Sequence, residues 1–193
     1  MQKKTQNSDI QRLVLEKAAG FIAGRGPKGW STAELAKACG LAKNTLYKII
    51  GSKKELTEKI VLDQIDATTT LLNRIIQDSS GYRDAALQMM GEAPPFFARR
   101  PRVTFAEIFL EYPAIERKAR DHQKASASRI IEFIQKGQSE GHIRSDVEPE
   151  FIYNLVQGIV DHYVRSGLTG QDLAAALAKA FTCLREGIRR GDW

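Results

Sequence analysis

Three observations predict an all-α fold for this chain of 193 residues. Apolar residues recur at helical spacing in almost every segment, helix start and stop signals stand between those segments, and no stretch of useful length alternates as a strand does. No internal repeat or low-complexity tract interrupts the pattern.

The first expected helix runs from Asn7 to about Gly24, with Ile10, Leu13, Val14, Phe21 and Ile22 on one stripe and Asn7 or Ser8 available as a cap. The segment GRGPKG ends it. Ser31 followed by Glu34 is a capping box, in which the Ser side chain accepts from the amide at N3 and the Glu reaches back to the Ser amide; Trp30 and Leu35 supply a hydrophobic staple. Gly40 stands where a left-handed residue would stop this helix, with Leu41 placed to fold back on it. Lys43 to Ile50 forms the next short helix, and Ser52 with Glu55 reads as a second capping box that starts a long helix from Lys53 to about Gln77. After DSSG, a short helix is expected near Tyr82 to Met90, and the prolines of GEAPPFFARRPRV interrupt whatever follows. Pro113 opens a helix to about Glu140, with Ile115, Ala119, His122, Ile130, Phe133, Ile134 and Gly137 inward. The last two helices, about Pro149 to Ser166 and Gln171 to Arg189, carry wide apolar stripes.

Composition bounds the function. With 42% hydrophobic and 27% charged residues, the chain reads as a soluble globular protein, not a fibre or a disordered chain. No run approaches a membrane span, and the N-terminal lysines are followed by no apolar run, so neither membrane nor export is expected and the cytoplasm is the expected compartment. Cys39 and Cys183 are the only cysteines, too few for a disulfide framework or a thiolate metal site; buried packing residues or one disulfide remain. His122, His142 and His162 show no metal-ligand spacing, and the chain has neither a Gly-rich phosphate loop nor a nucleophile elbow. No catalysis, cofactor or metal is therefore expected. The net charge of +6 is unevenly placed: residues 1–60 hold 12 Lys and Arg against 5 Asp and Glu, whereas the remaining residues hold 17 against 18. An N-terminal excess of this kind suits a polyanion, nucleic acid first of all, or is simply a solvated face.

A helix as short as residues 43–50 is marginal by itself, since isolated helices under ~12 residues are barely stable in water. Its neighbours must hold it. On a helical wheel Leu46, Ile49 and Ile50 share one side, and Asn44 and Lys48 centre the other, flanked by Thr45 and Tyr47. One face anchors and the other is displayed. Two short helices joined by a Gly-containing turn, the second showing amide, hydroxyl and ammonium groups, form a helix-turn-helix, whose second helix fits the major groove.

The stretch STAELAKACGLAKNTLYKIIGSKKEL resembles the DNA-binding head of the TetR family of bacterial transcriptional regulators, in Ser31 and Thr32, Ala36 with Gly40, Thr45-Leu46-Tyr47, and Lys53 with Leu56. The resemblance is strong over about residues 8–60 and continues in helix order, with EGHIRSDVEPE leading into the last two helices. It implies an N-terminal three-helix helix-turn-helix head, residues 1–52, and a ligand-binding and dimerising body, residues 53–193, joined by the long helix from Lys53. Thr32, Lys43, Asn44, Thr45, Tyr47, Lys48 and Lys53 are then expected to face DNA, Tyr47 and Lys53 mainly at phosphate and the others near base edges. Core filling by Tyr47 and plain solvation of Lys53 are the other readings. Ala42 stands where a capping Ser is frequent, and Ile49 and Ile50 where an aromatic or His followed by Phe is common. A palindromic double-stranded operator implies a homodimer, made by the last two helices as a four-helix bundle unless they form only an internal hairpin. The body is rich in aromatic residues, and Phe97, Phe105, Phe109, His122, Tyr153 and His162 are candidates to line a pocket for a small apolar or amphipathic effector, or to be ordinary core. The expected function is a repressor released from its operator by that effector; the alternative is a ligand-independent DNA-binding or nucleoid-associated protein.

Overall fold

The computed structural model describes residues 2–100 and 105–189. Its described residues form nine helices: α1 Gln2–Arg25, α2 Thr32–Ala38, α3 Lys43–Ile50, α4 Lys53–Asp78, α5 Tyr82–Arg99, α6 Phe105–Glu111, α7 Pro113–Ser139, α8 Pro149–Arg165 and α9 Gly170–Ile188. They form no strand beyond one isolated antiparallel bridge between Ile143 and Arg189. The all-α expectation holds, with a helix-turn-helix in α2 and α3.

Two expectations are corrected. First, α1 starts by Gln2 and not at Asn7. Second, α5 does not stop near Met90: it runs through Pro94 and Pro95 to Arg99. The missing proline amides leave the carbonyls of Met90 and Gly91 without their helical donors. Gly91 is exposed, so water can serve its carbonyl, while Ala93 and Pro94 are buried and α5 packs along α9. That packing outweighs local propensity.

The chain gathers into two compact units, one of Met1–Ile65 with Pro101–His122 and the other of Asp66–Arg100 with Gln123–Trp193. In the first, Val14, Ala18, Ile22, Trp30, Leu35, Leu46, Leu56 and Val61 are buried together with Ile108, Ile115 and Ala119. The α6 segment joins this core through Phe105, Phe109 and Tyr112. At its edge Lys28 pairs with Glu111 at 2.6 Å and Lys118 with Glu58 at 2.5 Å. In the second unit Ile134, Ile143 and Ile152 are buried, with Tyr82, Ile130 and Tyr153 against them. Gln138 Nε2 donates to the carbonyls of Arg144 and Val147, at 2.9 and 2.7 Å, and so pins the turn before α8.

The two last helices bury less than their stripes suggest. Ile152 is the buried residue of α8, and Leu173 and Leu177 are those of α9. Both cysteines are free, and Cys183 is exposed instead of buried as a packing residue.

Candidate nucleic-acid interface

The display helix α3 is built by its neighbours. At the start of α2 the Ser31 hydroxyl accepts from the Glu34 amide at 3.2 Å, and Glu34 Oε2 accepts from the Ser31 amide at 2.8 Å. Both halves of the expected box are present. The Ser31 hydroxyl, which also donates to Glu34 Oε2 at 2.8 Å, the Ser31 amide and the Arg25 guanidinium at 3.0 Å together hold the Glu34 carboxyl below its ordinary value. Ser31→Ala is expected to cost about 1 kcal/mol of head stability, read as a lower denaturation midpoint with an unchanged m-value.

The stop of α2 is as local as its start. Gly40 adopts φ +65°, Leu41 N donates to Ala36 O at 2.9 Å and Gly40 N to Lys37 O at 3.2 Å, the bond pair of a Schellman turn. This turn sets the direction in which α3 leaves. Ala42 caps α3 with no side-chain bond, as expected, so nothing local defends its first amides. The start of α4 differs from the reading: Ser52 Oγ accepts from the Glu55 amide at 3.1 Å, but the Glu55 carboxylate lies over Gly51 and makes no return bond.

Leu46 and Ile50 are the buried residues of α3. Lys43, Asn44, Thr45 and Lys48 are exposed, and Tyr47 remains 39% exposed, so it does not fill the head's core. The Tyr47 hydroxyl and Thr32 Oγ1 lie 2.8 Å apart, a bond that ties the outer face of α3 to the first turn of α2. Six of the seven residues expected to face DNA are thus on the partly or fully exposed side of α2 and α3.

Lys53 is different. Its Nζ donates to the Trp30 carbonyl at 2.6 Å and stands 4.3 Å from the centre of the Trp30 ring. Burial lowers its pKa, against the opposing pull of Glu111 and Glu34. Lys53 is neither simply solvated nor extended outward: it clamps the first turn of α4 onto the segment that leads into α2. Neither this bond nor the Thr32–Tyr47 bond has a local sequence signature.

The six residues considered for an effector are spread over the structure. Phe105 and Phe109 pack against the core of the first unit with ring centres 5.7 Å apart, and His122 belongs to that unit. In the second unit Phe97 meets Phe96 edge-on at 5.4 Å, Tyr153 packs against Ile134, Ile143 and Ile152, and His162 is exposed beside Tyr163. A cavity of about 330 Å³ lies at the end of α4, and none of the six lines it.

Residues 14–60 match the profile of the tetR family of bacterial regulatory proteins. Over a longer span the chain is similar to the HTH-type transcriptional repressor KstR2 of Mycobacterium tuberculosis, 20% identical over 161 residues that cover 75% of this chain and 74% of the relative. Among solved structures it resembles the TetR family transcriptional regulator PfmR from Thermus thermophilus, with a TM-score of 0.76 at 20% identity over 92% of this chain and 96% of that one. It also resembles the transcriptional regulator FadR from Bacillus subtilis in complex with stearoyl-CoA, with a TM-score of 0.75 at 16% identity over 92% and 99% of the two chains.

Proposed function

We propose that this chain, a member of the TetR family of bacterial regulatory proteins, is a sequence-specific DNA-binding repressor that acts as a homodimer on a palindromic operator in the cytoplasm and is released by a small apolar or amphipathic effector. The observation that carries the reading is α3: eight residues, anchored by Leu46 and Ile50, with Lys43, Asn44, Thr45, Tyr47 and Lys48 left on the outer side. Such a rod fits a major groove ~12 Å wide, where Asn matches adenine edges and Lys matches guanine edges. Thr32 and Tyr47, already bonded to each other, are placed to take one phosphate between them.

The exposed side of α8 supports the dimer. Phe151, Leu155, Gly158 and His162 follow one another along a single stripe, and all four are exposed. Paired α8–α9 hairpins from two copies would cover it as a four-helix bundle. The relatives support repression and an effector: one is a repressor, and another was solved with an acyl thioester. An effector acts by binding one conformation of the dimer better than the other, and α4, which contributes residues to both units, is the element to carry the difference.

The test is a set of duplex titrations over a range of salt concentrations. Asn44→Ala and Lys48→Ala are each expected to cost about 1–3 kcal/mol on the preferred duplex and to relax sequence preference, with nonspecific binding barely changed. Lys53→Ala is expected to weaken all duplexes alike and to lower the melting temperature, because Trp30 loses its clamp. A salt slope that stays constant makes Lys53 a positioning residue; a slope lower by about one unit returns it to phosphate. A parent chain that holds no duplex better than bulk competitor DNA overturns the proposal.

A further inference from the structure

The cavity at the end of α4 is furnished in a way that the core around it is not. Its volume of about 330 Å³ falls within the ~300–1,000 Å³ typical of small-molecule sites. Its walls come from the last turns of α4, the turn into α5 and the second half of α7, all within one compact unit.

The apolar wall is a stack of rings. The rings of Tyr82 and Phe133 stack at 4.6 Å, and the ring of His142 stacks on Tyr82 at 5.1 Å. Gly137 makes room for this arrangement, since a Cβ there would stand 2.5 Å from Tyr82 Cε2. Ile76 on α4 adds a further apolar surface. A flat or compact apolar body would therefore meet rings already packed on one another.

The polar groups sort into those already used and those left over. Ser79 Oγ donates to Ile75 O at 2.6 Å, and the Ser80 amide donates to Asp84 at 2.9 Å, so the turn closes on itself. Asn73 and Gln77, one turn apart on α4, line the cavity with amides that bond to no described residue. Arg129 lines it without an ion-pair partner among the described residues, and Lys136 is held only loosely, 3.8 Å from Glu140. On this face of α7 Arg129 and Lys136 flank Glu132, and with Glu140 beside Lys136 the charges balance, so Arg129 is the cation that a bound anion would meet first. The Tyr82 hydroxyl is protonated at neutral pH, as an ordinary phenol is, and burial, which pushes it up to about 12, keeps it so well into the alkaline range.

We propose that this cavity binds a small organic anion with an apolar body, its carboxylate or sulfonate taken by Arg129 and Lys136 and its body laid against Tyr82, Phe133 and Ile76. As the effector site, it rests on the regulatory reading given above.

Anilinonaphthalene sulfonate is the probe, with neutral N-phenylnaphthylamine as its uncharged counterpart, each titrated by fluorescence into the full-length chain. The parent is expected to bind one sulfonate probe per chain saturably. Arg129→Glu is expected to weaken the sulfonate by about tenfold or more and the neutral probe by less than about twofold. Gln77→Trp, which fills the mouth from an exposed position, is expected to block both. Melting curves identify a variant that has not folded, and Arg129→Glu, an exposed change, then decides alone. Equal sulfonate affinity in parent and Arg129→Glu overturns the site, as does a signal that disappears on changing Phe151 and Leu155 but survives both cavity variants. Operator titrations with and without probe separate the two ideas: a cavity that binds as stated in a chain that holds no operator, or whose operator affinity no probe changes, keeps the site and defeats the regulatory reading.

Discussion

Leu46→Ala is expected to cost about 2–5 kcal/mol, the range for truncating a fully buried leucine to alanine. Leu46 is 0% exposed and, with Ile50, supplies the buried side of α3. The helix has no reserve against this loss, because its N-cap is Ala42 and its eight residues are too few to hold a helix alone. Native domains are stable by only about 5–15 kcal/mol, so the variant should lose DNA binding at temperatures where the parent retains it. Lys48→Ala is the control: it removes a side chain exposed on the same helix and should change DNA preference without moving the melting curve. A Leu46→Ala chain that melts with the parent would mean that α3 is held from somewhere other than its buried side.

The features that were legible in the sequence are those written in neighbouring residues. Ser31, Glu34, Gly40 and Leu41 carry the start and stop of α2 in side-chain and backbone bonds that reach no more than five residues, and all four bonds form. The alternation of anchored and displayed positions in α3 is likewise a property of eight consecutive residues. What the sequence hid is long-range. Nothing near Pro94 and Pro95 announces that α9 will hold α5 in helical form through them. No local pattern says that Phe105, Phe109 and Tyr112 pack with the core of residues 14–65, or that Lys28 meets Glu111. Lys53 illustrates the limit most directly, since the family pattern gives its position in the chain but not the carbonyl and ring of Trp30 that receive its ammonium. The cavity at the end of α4 has no motif at all, because its groups come from residues 73–85 and 129–136 and meet only through folding.

Phe151→Glu combined with Leu155→Glu should leave the chain folded and make it monomeric. Phe151 is 54% and Leu155 39% exposed, so carboxylates at those positions meet water in the single chain, where such changes usually stay within about 0.5 kcal/mol. In an isologous interface each substitution occurs twice, facing its own copies, and four added negative charges would then be buried together without partners. The consequence for DNA is large because the second head of a dimer binds at an effective concentration set by its tether. Losing it removes about 10²–10⁴ in apparent affinity for a two-site duplex without changing a single base contact. Binding to a duplex that carries one half-site should therefore be the same for variant and parent, while binding to the full palindrome collapses to that level. Sedimentation at matched concentrations checks the mass, and the two titrations check the coupling. A variant that still sediments with the parent's mass would show that α8 is not the covered face, and one that is monomeric yet holds the full palindrome as tightly as before would show that the heads bind DNA independently.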